Sequence, residues 1–179
     1  MTLSELTTPD FRVLFETAPS LCLVLAPDLR IVAMTDAYLQ ATMTKRSEIL
    51  GRNVFDVFPD NPDDPAATGV KNINNSFQTV LKNKVPHTMA IQKYDIKRPE
   101  SEGGGFEVRY WSVINSPVLN VEAEVTYIIN RAEDVTEFVL LKQQDSERRR
   151  INEELQLRAS QMEAEIFLRA RELVDATLG

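Results

Sequence analysis

Few residues in this chain are equipped for bond-making chemistry, and they lie apart. Cys22 is the only cysteine and His87 the only histidine. A lone thiol excludes an intrachain disulfide and a cysteine metal cluster. Its setting, Leu21-Cys22-Leu23-Val24-Leu25, is that of a small buried apolar residue. His87 follows Pro86 at the start of a strand-like run and reads as an exposed loop histidine. No nucleophile stands beside a base, so acid–base catalysis has no recognisable pair. Asp60-Asn61-Pro62-Asp63-Asp64 places four oxygen-bearing side chains in five residues, as a hard cation would require. It lacks the Gly and the distant bidentate Glu of a calcium loop, so Asx turns and helix caps explain it better. Gly103-Gly104-Gly105 lacks the Lys and the strand-to-helix setting of a phosphate loop. Asp134 and Thr136 remain: a short carboxylate and a hydroxyl at a strand-to-helix step, suited to bonding exposed backbone donors.

The elements that position these residues follow from pattern. Asp10 caps a helix through Phe11, Leu14, Phe15 and Ala18, and Pro19 ends it. Residues 21–26 and 30–34 form a hairpin around the Pro27-Asp28 turn. Thr35 or Asp36 caps a helix through Tyr38, Leu39 and Met43; Ser47 starts a further short turn, stopped by Gly51. A Pro- and Asp-rich loop leads into a helix over about 69–84, with Val70, Ile73, Phe77, Val80 and Leu81 on one face. Three strands follow, over 87–96, 106–119 and 124–133, with a turn at 120–123. Five strands with helices inserted after the second predict an antiparallel α+β domain. Alternation puts Arg109, Trp111, Val113 and Asn115 on one face of the fourth strand and Phe106, Val108, Tyr110 and Ile114 on the other. Both sets are partly apolar, so the pattern leaves open which faces the core.

The 179 residues suffice for one ordinary domain and an extension. Net charge is −7, and residues 1–137 carry 13 Lys and Arg against 19 Asp and Glu. An acidic globular part argues against non-specific nucleic-acid binding. Arg148-Arg149-Arg150 reads as a solvated segment between acidic neighbours. No apolar run approaches a membrane span, and the N-terminus lacks a signal-peptide pattern, which points to a cytoplasmic chain.

From about residue 138 the chain reads as one helix with no Gly or Pro before Gly179. Ile151, Leu155, Ala159, Met162, Ile166, Ala170 and Leu173 recur on an eleven-residue period. Eleven residues make three turns at about 3.67 per turn, so they form one nearly straight stripe that an isolated helix cannot hide. A parallel second copy would cover it. Leu157, Phe167 and Leu168 add an apolar rim, leaving room for a second register or a larger bundle.

Leu14-Phe15-Glu16-Thr17-Ala18-Pro19, Ile49-Leu50-Gly51-Arg52 before Asn53-Val54-Phe55, Trp111 in the penultimate strand, Ser116-Pro117-Val118 and Asp134-Val135-Thr136 occur in an order that resembles the PAS domain. The likeness covers about residues 10–137 and is similar in flavour to N-terminal input domains of bacterial sensor histidine kinases. It implies a five-stranded antiparallel sheet with short helices on one side and a long C-terminal coiled-coil helix. The expected divisions are 1–19 for a flanking helix, 20–137 for the PAS domain and 138–179 for a signalling helix. In the family, the motif at Asp134 and Thr136 couples domain to coiled coil.

The resemblance also implies a pocket between sheet and small helices. Its expected walls are Tyr38, Met43, Phe55, Phe58, Phe77, Ile91 and Trp111, with Tyr94, Arg109 and Asn115 as polar handles. Haem held from the long helix is not expected, because residues 69–84 hold no histidine. A flavin–cysteinyl adduct is not expected either, because Cys22 lies in the first strand. Flavin without an adduct stays open, as does an empty pocket. The expected role is a sensory module without catalytic or metal-binding residues, paired with its own copy as a parallel homodimer. It would regulate an output domain in the same chain, a histidine kinase first, with a diguanylate cyclase or a ligand-free dimerisation adaptor as alternatives. A small-molecule ligand is the remaining partner expected; nucleic acid is not.

Overall fold

The computed structural model describes residues 9–177, and side chains through residue 171. Asp10 opens helix α1 (Phe11–Glu16) by accepting from the N–H groups of Arg12 and Val13. Strands β1 (Leu21–Leu25) and β2 (Ile31–Met34) then pair antiparallel. Thr35, wholly buried, caps α2 (Asp36–Thr42) through the Tyr38 N–H and also accepts from the Cys22 N–H, tying the helix start to β1. Two one-turn helices follow, α3 (Arg46–Ile49) and α4 (Val54–Val57), the second capped by Asn53. Gly51 joins them at φ 79°, a left-handed conformation open to glycine at no steric cost. The longest of the domain's helices is α5 (Gly69–Asn83). Its own Thr68 makes no capping bond; Asp60 reaches across the loop to accept from the Val70 N–H instead.

The sheet runs in the order β2-β1-β8-β7-β3, all antiparallel, where β3 is His87–Thr88, β7 Tyr110–Leu119 and β8 Val125–Asp134. The expected α+β class with an antiparallel sheet is the one observed. Two expected strands are segmented. The run over 87–96 breaks into β3 and β4 (Gln92–Lys93), both pairing with β7, while β5 (Ile96–Lys97) pairs with β6 (Phe106–Glu107) as a separate ribbon. The break before β7 falls at Arg109, whose side chain is held by Glu107 and Asp134. The β7–β8 hairpin turns at Asn120, whose Oδ1 accepts from the N–H groups of Glu122 and Glu124.

The inner face of β1, β2 and β8 packs Leu23, Leu25, Ile31, Met34 and Ile128 against Tyr38, Ile49, Val54, Phe77 and Val80 of the helices. A second group, Ile96, Trp111 and Val113, continues it along β7. Burial along β7 settles which face is inward: Trp111, Val113 and Asn115 are buried. Phe77 is 1% exposed, so truncation to Ala should cost about 3–5 kcal/mol.

The chain divides into two units, one ending at Thr136 and one from Glu137 onward. The second is helix α6 (Thr136–Thr177), 42 residues and about 63 Å long. Ion pairs four residues apart line its surface, Glu154–Arg158 and Glu165–Arg169, themselves eleven residues apart. Arg148 and Arg149 pair with Asp145 and Arg150 with Glu147, so each arginine of the basic cluster has a carboxylate partner on the helix. Ile151, Leu155, Ala159, Met162, Ile166 and Ala170 are exposed, as are Leu157, Phe167 and Leu168; the side chain of Leu173 lies outside the described residues. Among the described residues no helix is long and apolar enough to cross a membrane.

Candidate functional site

A cavity of about 60 Å³ lies between the sheet and helices α2, α4 and α5. Leu23, Val54, Phe55, Phe58, Ile73, Phe77, Ile96, Val113 and Ala132 supply its apolar lining. Tyr38, Thr42, Gln92, Tyr94, Trp111 and Asn130 supply polar atoms, and no charged side chain contributes. Burial drives the phenols of Tyr38 and Tyr94 well above their ordinary range, so both stay protonated. The Tyr38 ring stands edge-on to Phe58 at 6.0 Å. At this volume the cavity is well below the roughly 300 Å³ at which pockets for drug-sized ligands begin.

Of the expected pocket residues, Tyr38, Phe55, Phe58, Phe77, Tyr94 and Trp111 line this space. The other four lie elsewhere. Met43 ends α2 in the left-handed conformation, φ 54°, and packs beside the Ile96–Trp111 cluster without lining the cavity. Ile91 falls where the third strand is interrupted and is 49% exposed. Arg109 is drawn to the strand end by two carboxylates. Asn115 is fully buried, but it faces α5: its Nδ2 donates to Ser76 Oγ at 2.8 Å.

Asn115 belongs to a buried polar chain. Asn130 Nδ2 donates to Asn115 Oδ1 at 2.7 Å, and Ser76 Oγ lies 2.7 Å from His87 Nδ1. His87 is therefore not an exposed loop residue. Helix α5 closes on Lys84 at φ 57°, and the turn through Pro86 lays His87 onto the edge of β7, opposite Asn115 and half-buried. Asn130 and Ser76 are residues that sequence reasoning missed. An amide isolated among Tyr127-Ile128-Ile129 was the available signal.

A second constellation stands at the end of β8. Asp134 Oδ1 accepts from the Thr136 N–H at 3.0 Å and from its hydroxyl at 2.5 Å, and Oδ2 accepts from Arg109 Nη1. Thr136 Oγ1 in turn accepts from the Tyr110 N–H at 2.9 Å, while the Val135 N–H donates to the Tyr110 carbonyl. Burial alone would raise the Asp134 carboxyl, but the Thr136 donors and the Arg109 guanidinium together hold it below the usual carboxylate range. Asp134 is also the register partner of Trp111, which lines the cavity. Strand β7 thus carries a cavity wall and the anchor of the chain's exit one residue apart.

The acidic loop is committed to local structure. Asn61 Oδ1 accepts from Asp63 N–H and Asp64 Oδ1 from Ala66 N–H, while Lys93 Nζ holds Asp64 at 2.6 Å. Among the described residues no cluster of His, Cys, Asp or Glu is arranged to hold a metal ion.

A family model described as the PAS fold matches residues 15–140. Solved structures similar to the chain include an RNA-binding light-oxygen-voltage receptor, at 21% identity and TM-score 0.55 over 78% of this chain. This chain covers 37% of that receptor, little more than a third of its length. The PAS domain of Bordetella pertussis BvgS matches at 20% identity and TM-score 0.52, over 77% of this chain and 94% of that one. A PAS domain from Colwellia psychrerythraea matches at 10% identity and TM-score 0.52, over 69% and 92%. At these identities the likeness speaks to fold alone. No curated protein matches the chain.

Proposed function

The chain belongs to the PAS family, and from that premise we propose that it is the sensory input of a cytoplasmic signalling protein. In this reading residues 20–137 sense, residues 1–19 flank them, and residues 138–179 form a parallel two-stranded coil leading to an output domain. As a PAS domain it is a sensory, non-catalytic module. The observation that carries the proposal is the placement of Trp111 and Asp134 as cross-strand partners. A molecule that displaces Trp111 in the cavity strains β7 beside Arg109 and Tyr110, the two residues that hold Asp134 and Thr136. Thr136 is the first residue of α6, so the strain is delivered to the start of that helix. The exposed eleven-residue stripe supports the second half: burying Ile, Leu and Met side chains against a second copy is favourable by about 1.5–3 kcal/mol each at full burial. A change in that coil's rotation or register would then reach the output, for which a histidine kinase is the first candidate and a diguanylate cyclase the alternative.

A second reading is a dimerisation adaptor with no ligand, favoured by the cavity of only about 60 Å³. Cysteine crosslinking tests the dimer shared by both readings, in a chain with Cys22 replaced. Cysteines at positions 151, 155, 162, 166 and 173 should crosslink well above those at 153, 160 and 171. Equal yields, or a monomer in sedimentation at micromolar concentration, reject the paired helix. Native mass spectrometry separates the readings: a released small molecule supports sensing, and an empty dimer supports the adaptor.

A further inference from the structure

Six polar side chains line the cavity, and the protein already occupies the hydrogen-bonding groups of four. Thr42 Oγ1 donates to the Tyr38 carbonyl at 2.8 Å. Gln92 donates to the Ala90 carbonyl and accepts from Asn72, each at 2.8 Å. Tyr94 donates its hydroxyl to the Phe58 carbonyl, and Trp111 Nε1 donates to the Tyr94 carbonyl at 2.8 Å. The remaining two are Tyr38 and Asn130. Asn130 Nδ2 is taken by Asn115, which leaves its Oδ1 without a hydrogen-bond partner among the described residues. The Tyr38 hydroxyl likewise has none there. Neither is among the unpartnered atoms sealed from solvent, which are Asp95 Oδ1, Arg98 Nε and Arg109 Nε. Both residues are at least nine-tenths buried, and both line the cavity.

We infer that the cavity is built for a neutral, mostly apolar molecule carrying one O–H or N–H group, which donates to Asn130 Oδ1 beside the Tyr38 hydroxyl. The inference rests on the sensing reading and gives it a ligand class. Three features set the chemistry. The apolar lining rewards a hydrocarbon body. No cation lines the cavity, so a carboxylate or phosphate would be buried unpaired, and its desolvation would outweigh the attraction of the apolar walls. The free acceptor selects a donor, because a bound molecule without one leaves Asn130 Oδ1 desolvated and unpaired.

The polar chain explains why Asn130 presents its oxygen and not its nitrogen. Asn115 donates to Ser76 Oγ, which also bonds His87 Nδ1, the direction of that second bond following the imidazole tautomer. Asn115 Oδ1 is thereby turned toward β8 and must receive a donor. Asn130 supplies its Nδ2, so its oxygen is the end of the amide left for a ligand. Ser76 and Asn115 act as positioning residues for that oxygen. Asn130 is the residue that meets the ligand.

The test uses the full chain with two rings of one shape, pyrrole, which offers an N–H, and furan, which does not, together with acetate as the anion. Binding is read by NMR from the Trp111 indole and Asn130 side-chain amide signals. Pyrrole should bind roughly fivefold tighter than furan, the worth of one net hydrogen bond, and acetate should leave both signals in place. Asn130→Leu should bring the ratio to about one while furan still binds. If that variant does not fold, the wild-type comparison decides alone. Furan binding as well as pyrrole, or acetate binding at these signals, overturns the inference while leaving a ligand pocket. Neither ring moving the signals overturns the inference and the sensing reading together.

Discussion

Replacing Asp134 separates a helix cap from an ion pair, because its two oxygens do different work. Oδ1 holds Thr136 through two donors, and Oδ2 faces Arg109, the paired side chains being about one-quarter exposed. Loss of the cap should cost about 1 kcal/mol. Loss of the ion pair should add about 0.5 kcal/mol, discounted for solvent and because Glu107 still holds Arg109 at 2.5 Å. Asp134→Ala should therefore lower stability by about 1.5 kcal/mol. Asp134→Asn keeps an oxygen for Thr136 and should cost only about 0.5 kcal/mol. At roughly 2–4 °C per kcal/mol for a chain of this size, the Ala variant melts about 3–6 °C early. The charge also fixes a pH signature. A carboxyl depressed in the folded state contributes fully above its unfolded value, about 3.9, and less as pH falls through the folded value. The gap between wild type and Asp134→Asn should thus be full at pH 7 and close only in acid. Trp111 is the only tryptophan and the register partner of Asp134, so its fluorescence reports urea unfolding at the site. Equal losses for Ala and Asn would refute the cap, and a gap unchanged between pH 7 and pH 3 would refute the ion pair.

Other outcomes follow from single contacts. Gly69→Ala should destabilise by about 1–3 kcal/mol in a urea melt, although Ala is the better helix former, because the new Cβ would stand 2.9 Å from Tyr94 Cγ, on a ring fixed by its bond to Phe58. Wild-type stability in that variant would mean the Tyr94 ring is free to move. Ser76→Ala leaves both Asn115 Nδ2 and His87 Nδ1 without this partner and should cost about 1–3 kcal/mol, with the Asn130 amide signal shifting in NMR. An unmoved Asn130 signal would show that the polar chain does not orient it. Output of a longer protein carrying Asp134→Ala should change at unchanged expression if the exit couples domain to helix.

Local rules made much of the fold legible. Asp10 and Thr35 cap helices from positions their residue types announce, and Phe77 and Val80 fall on the buried face that helical spacing assigns. What failed depends on contacts between distant residues. The Asp60 carboxylate caps a helix starting nine residues later, which no local window reveals. His87 looked exposed because its neighbours are loop residues, yet its environment is set by Asn115 and Ser76. The deepest loss is register. A turn at 120–123 with simple hairpin pairing would set Asn115 opposite Ile128; pairing of Leu119 with Val125 and a one-residue irregularity at Val118/Leu119 together set it opposite Asn130 instead. That shift brings the two amides together and frees one oxygen for the cavity. An amide in a strand sequence is read as a turn residue or a flaw, since its value depends on which residue stands across from it. Of the walls the resemblance implied, Tyr38, Phe55, Phe58, Phe77 and Trp111 line the cavity, whereas Asn130 was not legible, because its place there is made by pairing and not by composition.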